Sequence, residues 1–421
     1  MMSLIMAGET IFLPAFHLGR YFKSSLLETY GIDEFQLGQL GALYGALAMF
    51  CYLLGGPLAD RISPRKMLSG SLVITALGSV YMATVPSFQG MKWLYAFWGI
   101  STILGFWAPL IRATREWAGK DEQGRAFGIL DGGRGLASAV IAWIAANVFA
   151  LIVGSQSEPN PEREAFAIHV LVYSYAGYCL LSAACIWLFV PDSEPSSLDR
   201  DREQPSPFIP LGRRILKVLG SPAIWLQAVI IIAAYSAFKM FDNYGLYAED
   251  AYGMSRTTSA KLVAYVSFLR AGAALSAGFV ADRWLGTRPT IQLCFALLLG
   301  TYAFFLFVSP QPSVVWWMVG SMGLSCIAFF SLRGIYFALL EDTGIPRHLT
   351  GTAVGVISFV GFTPEIYMGP MTGWLIREAR ESGEVLVGYQ QIFLILTVLC
   401  ICGMAATLAL RLFVQKPTPR P

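Results

Sequence analysis

Apolar stretches long enough to cross a bilayer return twelve times along this chain, separated by short polar breaks. They fall at Leu4–Leu27, Phe35–Leu58, Met67–Val85, Lys92–Arg112, Arg125–Val153 and Ala167–Val190, then at Ser221–Tyr247, Thr258–Val280, Thr290–Val308, Ser313–Leu340, Thr352–Ile376 and Tyr389–Leu412. About 20 apolar residues in a helix cover the roughly 30 Å hydrocarbon core. Only helices or closed barrels satisfy their backbone groups in lipid, and these runs are too long and too continuously apolar for barrel strands. An all-α integral membrane protein with twelve transmembrane helices is therefore expected. Composition agrees. The 421 residues are 55% hydrophobic and 14% charged, against about 25% charged in soluble domains. A soluble enzyme, a disordered scaffold, a disulfide-stapled secreted domain and a nucleic-acid-binding domain are excluded, the last because a net charge of +3 is spread without a basic face.

The seven cysteines all fall inside apolar runs and read as small buried hydrophobes rather than ligands. No metal cluster, Walker loop or nucleophile elbow is present, so neither a cofactor nor catalytic residues are expected. The N-terminus lacks the basic segment of a cleavable signal.

The longest polar break, proline-rich and of mixed charge, divides the chain into a six-helix bundle (1–190), a linker (191–218) and a second six-helix bundle (219–421). If both termini are cytoplasmic, the inner loops carry 17 Lys and Arg and the outer loops 6. This bias predicts termini inside, in a plasma (inner) membrane. The halves echo each other. Ala59-Asp60-Arg61 returns as Ala281-Asp282-Arg283, Arg112 as Arg333, and Gly124-x-x-x-Gly128 as Gly351-x-x-x-Gly355, at offsets of 221 to 227 residues. Repeated six-helix halves are the organisation of many secondary transporters, whose site lies between them near mid-membrane.

The segment Gly56-Pro57-Leu58-Ala59-Asp60-Arg61-Ile62-Ser63-Pro64-Arg65-Lys66 resembles the signature loop between helices two and three of the major facilitator superfamily, and Gly278–Arg283 resembles its second copy. The variant Asp60-Arg61-x-x-Pro64-Arg65 is similar to that of the organophosphate:phosphate antiporter branch. There the resemblance makes Arg20 a phosphate-binding arginine of helix one and puts Arg134 in place of a substrate-contacting His of helix five. This chain departs where the branch has a second binding Arg in helix seven. Here Asn243 stands before Tyr244-Gly245, with Lys239 one turn earlier as its substitute. The resemblance implies two pseudo-symmetric bundles and a cytoplasmic gate made by Asp60, Arg61 and Arg65 with Asp282 and Arg283.

Charges inside the spans carry the functional reading, because a lone charge at mid-bilayer costs several kcal/mol and turns to a partner or a wet cavity. The bases are Arg20, Arg112, Arg134, Lys239, Lys261, Arg270 and Arg333; the acids are Glu9, Asp131, Asp242 and Glu365. Arg112, Lys261 and Arg333 reach the interfaces by snorkelling. Arg20, Arg134, Lys239 and Arg270 are then expected as unpaired cations in a central cavity that an anion completes, with Arg preferred for its two-oxygen fork. Asp131 and Arg134, and Lys239 and Asp242, share helix faces, either as structural pairs or as proton-coupled ones. Asp242 and Glu365 are the foremost proton-coupling candidates, followed by Asp131, Glu9 and His17. Tyr44 is a candidate lining residue, the glycines of helix five (Gly124, Gly128, Gly132, Gly133) a packing stripe, and Thr363-Pro364-Glu365 with Gly369-Pro370 a break in helix eleven.

The function expected is secondary transport of a small anionic metabolite (carboxylate, phosphate ester or sulfonate) by alternating access, as proton-coupled symport or antiport or as exchange, in a bilayer-embedded monomer. A carrier-like receptor for an anionic metabolite and a drug/proton efflux pump are the alternatives. The latter is disfavoured because Gly132–Leu136 lacks a Gly-Pro motif.

Overall fold

The computed structural model describes residues 1–59, 62–118, 123–154, 160–192, 216, 218–343 and 350–413. Their regular structure is all helical, with no strand among them. The first span is built from α1 (Met2–Thr10), α2 (Leu13–Tyr21) and α3 (Lys23–Tyr30); α4 (Glu34–Ala59) and α5 (Pro64–Met82) are the second and third. The fourth is α6 (Phe88–Ser101) with α7 (Trp107–Ala118), the fifth α8 (Gln123–Val153) and the sixth α9 (Pro161–Phe189). In the second half, α10 (Pro222–Lys239) and α11 (Tyr244–Tyr252) form the seventh span, α12 (Arg256–Ser267) and α13 (Leu269–Val280) the eighth, α14 (Thr287–Phe307) the ninth and α15 (Val315–Ile335) the tenth. The eleventh is α16 (Thr350–Gly361) with α17 (Pro364–Glu381), and the twelfth is α18 (Val385–Ala409). The helices thus follow the twelve expected runs in order. Among the described residues, seven helical spans are long and apolar enough to cross a membrane, eight if the bent pair α1–α2 counts as one span.

The runs read as continuous are often broken, and the first shows why. Helices α1 and α2 meet at 64°. Pro14 has no N–H to give the Thr10 carbonyl, and the Phe12 N–H bonds Glu9 O at 3.1 Å, one residue short of helical register. The Gly8 and Thr10 carbonyls are left for other donors: Arg134 Nε reaches the first at 3.0 Å and the Cys179 thiol the second at 3.1 Å. Irregular backbone survives at membrane depth only with such substitutes. The expected break before Pro364 is present, and Pro370 lies inside α17.

The chain divides into two compact units. The first comprises Met1–Ser197, Phe241–Ala271 and Glu365–Tyr389. Its core joins Leu4 and Ile11 of the bent span to Leu72, Phe106, Leu110 and Ile186. In the same unit α4 and α17 touch backbone to backbone: a Cβ on Gly373 would fall on the Glu34 carbonyl, and one on Gly38 on Gly369. The expected helix-five stripe is close-packed at one described position and open at another. Gly133 packs on Ile5 while Gly132 faces open space, and the surroundings of Gly124 and Gly128 lie outside the described residues.

The second unit comprises Leu198–Met240, Gly272–Pro364 and Gln390–Pro421. Its core is aromatic: Phe305 stacks on Phe393 with centroids 4.5 Å apart, and Gly403 brings α18 onto Phe295. Outward-facing Phe307, Trp316 and Trp317 are the apolar and interfacial surface that lipid covers. Cys402, expected buried, also faces outward; the buried cysteines include Cys51, Cys179, Cys294, Cys326 and Cys400.

Candidate functional site

Helix breaks place the charges of the first unit. At the α1–α2 bend, Glu9 is buried, and one of its oxygens lies 3.9 Å from both the Arg134 and the Arg270 guanidinium. Arg134 is held in place by the Gly8 carbonyl and lies over the rings of Phe12 and Trp107 at 5.8 and 5.5 Å. It also sits 3.9 Å from Asp131, three residues back on α8, whose side chain is 63% exposed. Gly135 lets α8 approach the Arg270 stem: a Cβ there would stand 3.4 Å from its Cγ.

A second pair of breaks is joined lower on the first span. Phe22 interrupts α2 and α3. Facing it, the 3₁₀ turn Met240–Asn243 interrupts α10 and α11. Arg20 Nε donates to Asp242 at 2.6 Å and stacks over Phe241 at 5.3 Å. Lys23 Nζ donates to the Asn243 amide oxygen at 2.6 Å. Discontinuous helices with their backbone groups turned inward are where transporters place substrate and ion sites.

The geometry corrects one expectation. Arg20 is not an unpaired cation, because Asp242 already holds it; Arg134 and Arg270 share a carboxylate at 3.9 Å, beyond the 2.7–3.2 Å of a direct hydrogen bond. The physical reason is non-local. The Arg20–Asp242 pair links residues 222 apart, which helix-face spacing cannot reveal. Arg134 from the first half of the sequence and Arg270 from the second do meet at Glu9, and Arg20 from the first half meets Asp242 from the second.

The other candidates are placed as follows. His17 is buried beside Tyr21 and Tyr175. Tyr44 is buried, its hydroxyl 2.6 Å from that of Thr102 and its ring edge-on to Phe16. Glu365 opens α17 against Gly45, whose Cβ would lie 2.8 Å from the Glu365 Cγ. Lys239 ends α10 in the second unit, where Arg333 covers the Phe238 ring at 3.9 Å. Of the expected cytoplasmic gate, Asp60 and Arg61 and the side chain of Asp282 lie outside the described residues. Arg65 stacks on Trp187 at 4.6 Å, and Arg283 lies over Phe279 at 5.8 Å. Among the described residues, no group of three His, Cys, Asp or Glu could hold a metal ion.

A set of ion pairs absent from the sequence reading crosses the end of the first unit near the α3–α4 turn. Arg380 of α17 bonds Glu34 and, at 2.9 Å, Asp250, which also accepts from the Tyr389 hydroxyl at 2.7 Å. Arg377 lies 3.3 Å from Asp33. Arg256 bonds Glu28 and reaches Glu164 at 2.6 Å. Glu249 accepts from Ser24 and Ser259. The available signal was one of topology: these acids and arginines flank loops that the alternation of twelve spans puts on one side.

Comparisons with known proteins bear on this arrangement. Residues 1–364 match the family model of the Major Facilitator Superfamily. The inner membrane protein YqcE of Escherichia coli (strain K12) is 26% identical over 85% of this chain and 82% of its own. Shorter matches include the nitrate/nitrite transporter NrtP of Picosynechococcus sp., 28% identical over 34% of this chain and 27% of its own. A probable hexose phosphate transport protein of Chlamydia muridarum is 27% identical over 28% of this chain and 25% of its own. In fold, a bacterial homologue of the human lysosomal transporter Spinster superposes with a TM-score of 0.72 at 14% identity, covering 99% of this chain and 98% of its own. The nucleoside transporter NupG does so at 0.72 and 16%, covering 98% and 99%. Twelve helical spans, their breaks lined by charge, and a family match over most of the sequence lead to one conclusion: the chain belongs to the Major Facilitator Superfamily and is a membrane transporter of that type.

Proposed function

We propose that the protein carries a small organic anion by alternating access, with Arg20, Arg134 and Arg270 as its binding cations. The observation that carries this reading is the placement of three guanidiniums on two carboxylates at helix breaks, Arg134 and Arg270 on Glu9 and Arg20 on Asp242. Arginine forks suit carboxylate and phosphate oxygens. Without substrate, the two carboxylates act as internal counterions, and an arriving anion takes their place. The names of two relatives, a nitrate/nitrite transporter and a probable hexose phosphate transport protein, also describe anion carriers. Protonation of Asp242 releases Arg20 and so couples a proton to the anion. Both termini are cytoplasmic in this reading, and the ion pairs at the α3–α4 end close the outer side.

Asp242→Asn separates this role from a structural one. The amide no longer competes for Arg20, so anion affinity rises about tenfold, the worth of one charge-assisted contact, and loses the pH dependence that Asp242 confers. Titration of the purified protein by intrinsic tryptophan fluorescence reads both. Unchanged affinity with a lowered Tm makes the pair a packing device.

A further inference from the structure

Two polar side chains beside the cationic cluster are buried without hydrogen bonds. His17 is 2% exposed, and neither ring nitrogen has a partner among the described residues. Tyr175, on α9, is 1% exposed, and its hydroxyl also has none. The rings meet edge to face with centroids 5.5 Å apart. Nearby buried hydroxyls are engaged, Thr10 with Ser182 and Tyr44 with Thr102. Buried polar groups in native proteins are nearly always paired, because an unmade hydrogen bond leaves the desolvation cost uncompensated. If packing alone were needed, apolar rings would fill this space without that cost.

The placement says what would satisfy them. His17 lies three residues before Arg20, which puts both on one face of α2. Neutral imidazole has one donor and one acceptor nitrogen, and a phenol both donates and accepts. A hydroxyl group complements the two together, because it accepts from one and donates to the other.

We propose that His17 and Tyr175 form a hydrogen-bonding subsite for a hydroxyl on the transported anion, so that the cargo is a hydroxylated organic anion rather than a simple one. The proposal rests on the anion reading above: the arginines hold the charged end, and His17 with Tyr175 select the polar body. A site built to bond a hydroxyl discriminates against the analogue lacking it, because the buried groups are left unpaired.

The test uses the purified full chain and two probe pairs, lactate against propionate and glycerol 3-phosphate against n-propyl phosphate, titrated by intrinsic tryptophan fluorescence. In at least one pair the hydroxylated member is expected to bind about tenfold more tightly. In Tyr175→Phe and in His17→Leu that ratio falls to about one, while affinity for the deoxy member changes less than about twofold. Tyr175→Phe removes a single oxygen and keeps the ring, so it decides the matter if the His17 variant does not fold. Anion binding with no hydroxyl preference, or a preference that survives both substitutions, overturns the subsite and leaves the anion reading standing. No binding of any of the four probes overturns both.

Discussion

Arg20→Gln is expected to reduce anion uptake into proteoliposomes about 100-fold, equivalent to about 2.7 kcal/mol. Two losses combine. The substrate loses a charge-assisted fork, and Asp242 loses its 2.6 Å bond to Arg20 next to Phe241. Removing one partner of a fully buried pair costs about 3–5 kcal/mol; both side chains here keep some exposure, so the lower end applies. Arg20→Lys keeps the charge without the planar fork and retains about a tenth of the uptake. The double variant Arg20→Gln/Asp242→Asn removes both charges, and it restores thermal stability without restoring uptake. Recovery of uptake in the double variant means that the pair only holds α2 to the Met240–Asn243 turn.

The second large effect is expected at the other end of the first unit. Arg380 joins Glu34, whose side chain is 5% exposed, to Asp250 on α11, and so ties three segments distant in sequence. Arg380→Ala strands the Glu34 carboxylate. The Arg380 side chain is itself 44% exposed, so the loss is discounted to about 2 kcal/mol, roughly a 30-fold shift in a two-state equilibrium. If these pairs hold the outer side closed, the shift opens it. The readout is modification of Ser267→Cys by a membrane-impermeant maleimide, with the native cysteines replaced. Ser267 is buried and lies 11 residues along α12 from Arg256, roughly 16 Å deeper. Labelling is expected to accelerate at least tenfold in Arg380→Ala, and to stay slow in Arg380→Lys, which keeps a cation between Glu34 and Asp250. Equal rates in all three backgrounds mean that the ion pairs decorate this end without closing it.

Much of the architecture follows from hydropathy alone, since lipid forbids unpaired backbone and so forces each long apolar run into a helix. The continuity of those helices was harder to read. Pro364 announced its break, but Pro14 did not, because its effect appears only with the early turn at Phe12 and the donors Arg134 and Cys179 supplied from other spans. Local spacing put Asp131 near Arg134, and they lie 3.9 Å apart. It said nothing of Arg20 with Asp242, or of Arg380 with Glu34, whose partners are 222 and 346 residues apart. Lys23, which no local spacing marks out, anchors Asn243 at the seventh-span break. The backbone contact between α4 and α17 likewise depends on Gly38 meeting Gly369, a match that neither helix displays by itself.

The most direct test of the account is counterflow. Purified protein is reconstituted into liposomes preloaded with lactate, glycerol 3-phosphate, or the neutral and cationic controls glycerol and choline, and uptake of the same labelled compound from outside is followed. The account predicts that at least one anion accumulates transiently, that neither control does, and that Arg20→Gln abolishes the accumulation. Counterflow of glycerol or choline with none of either anion, or anion counterflow that is unchanged in Arg20→Gln, contradicts it.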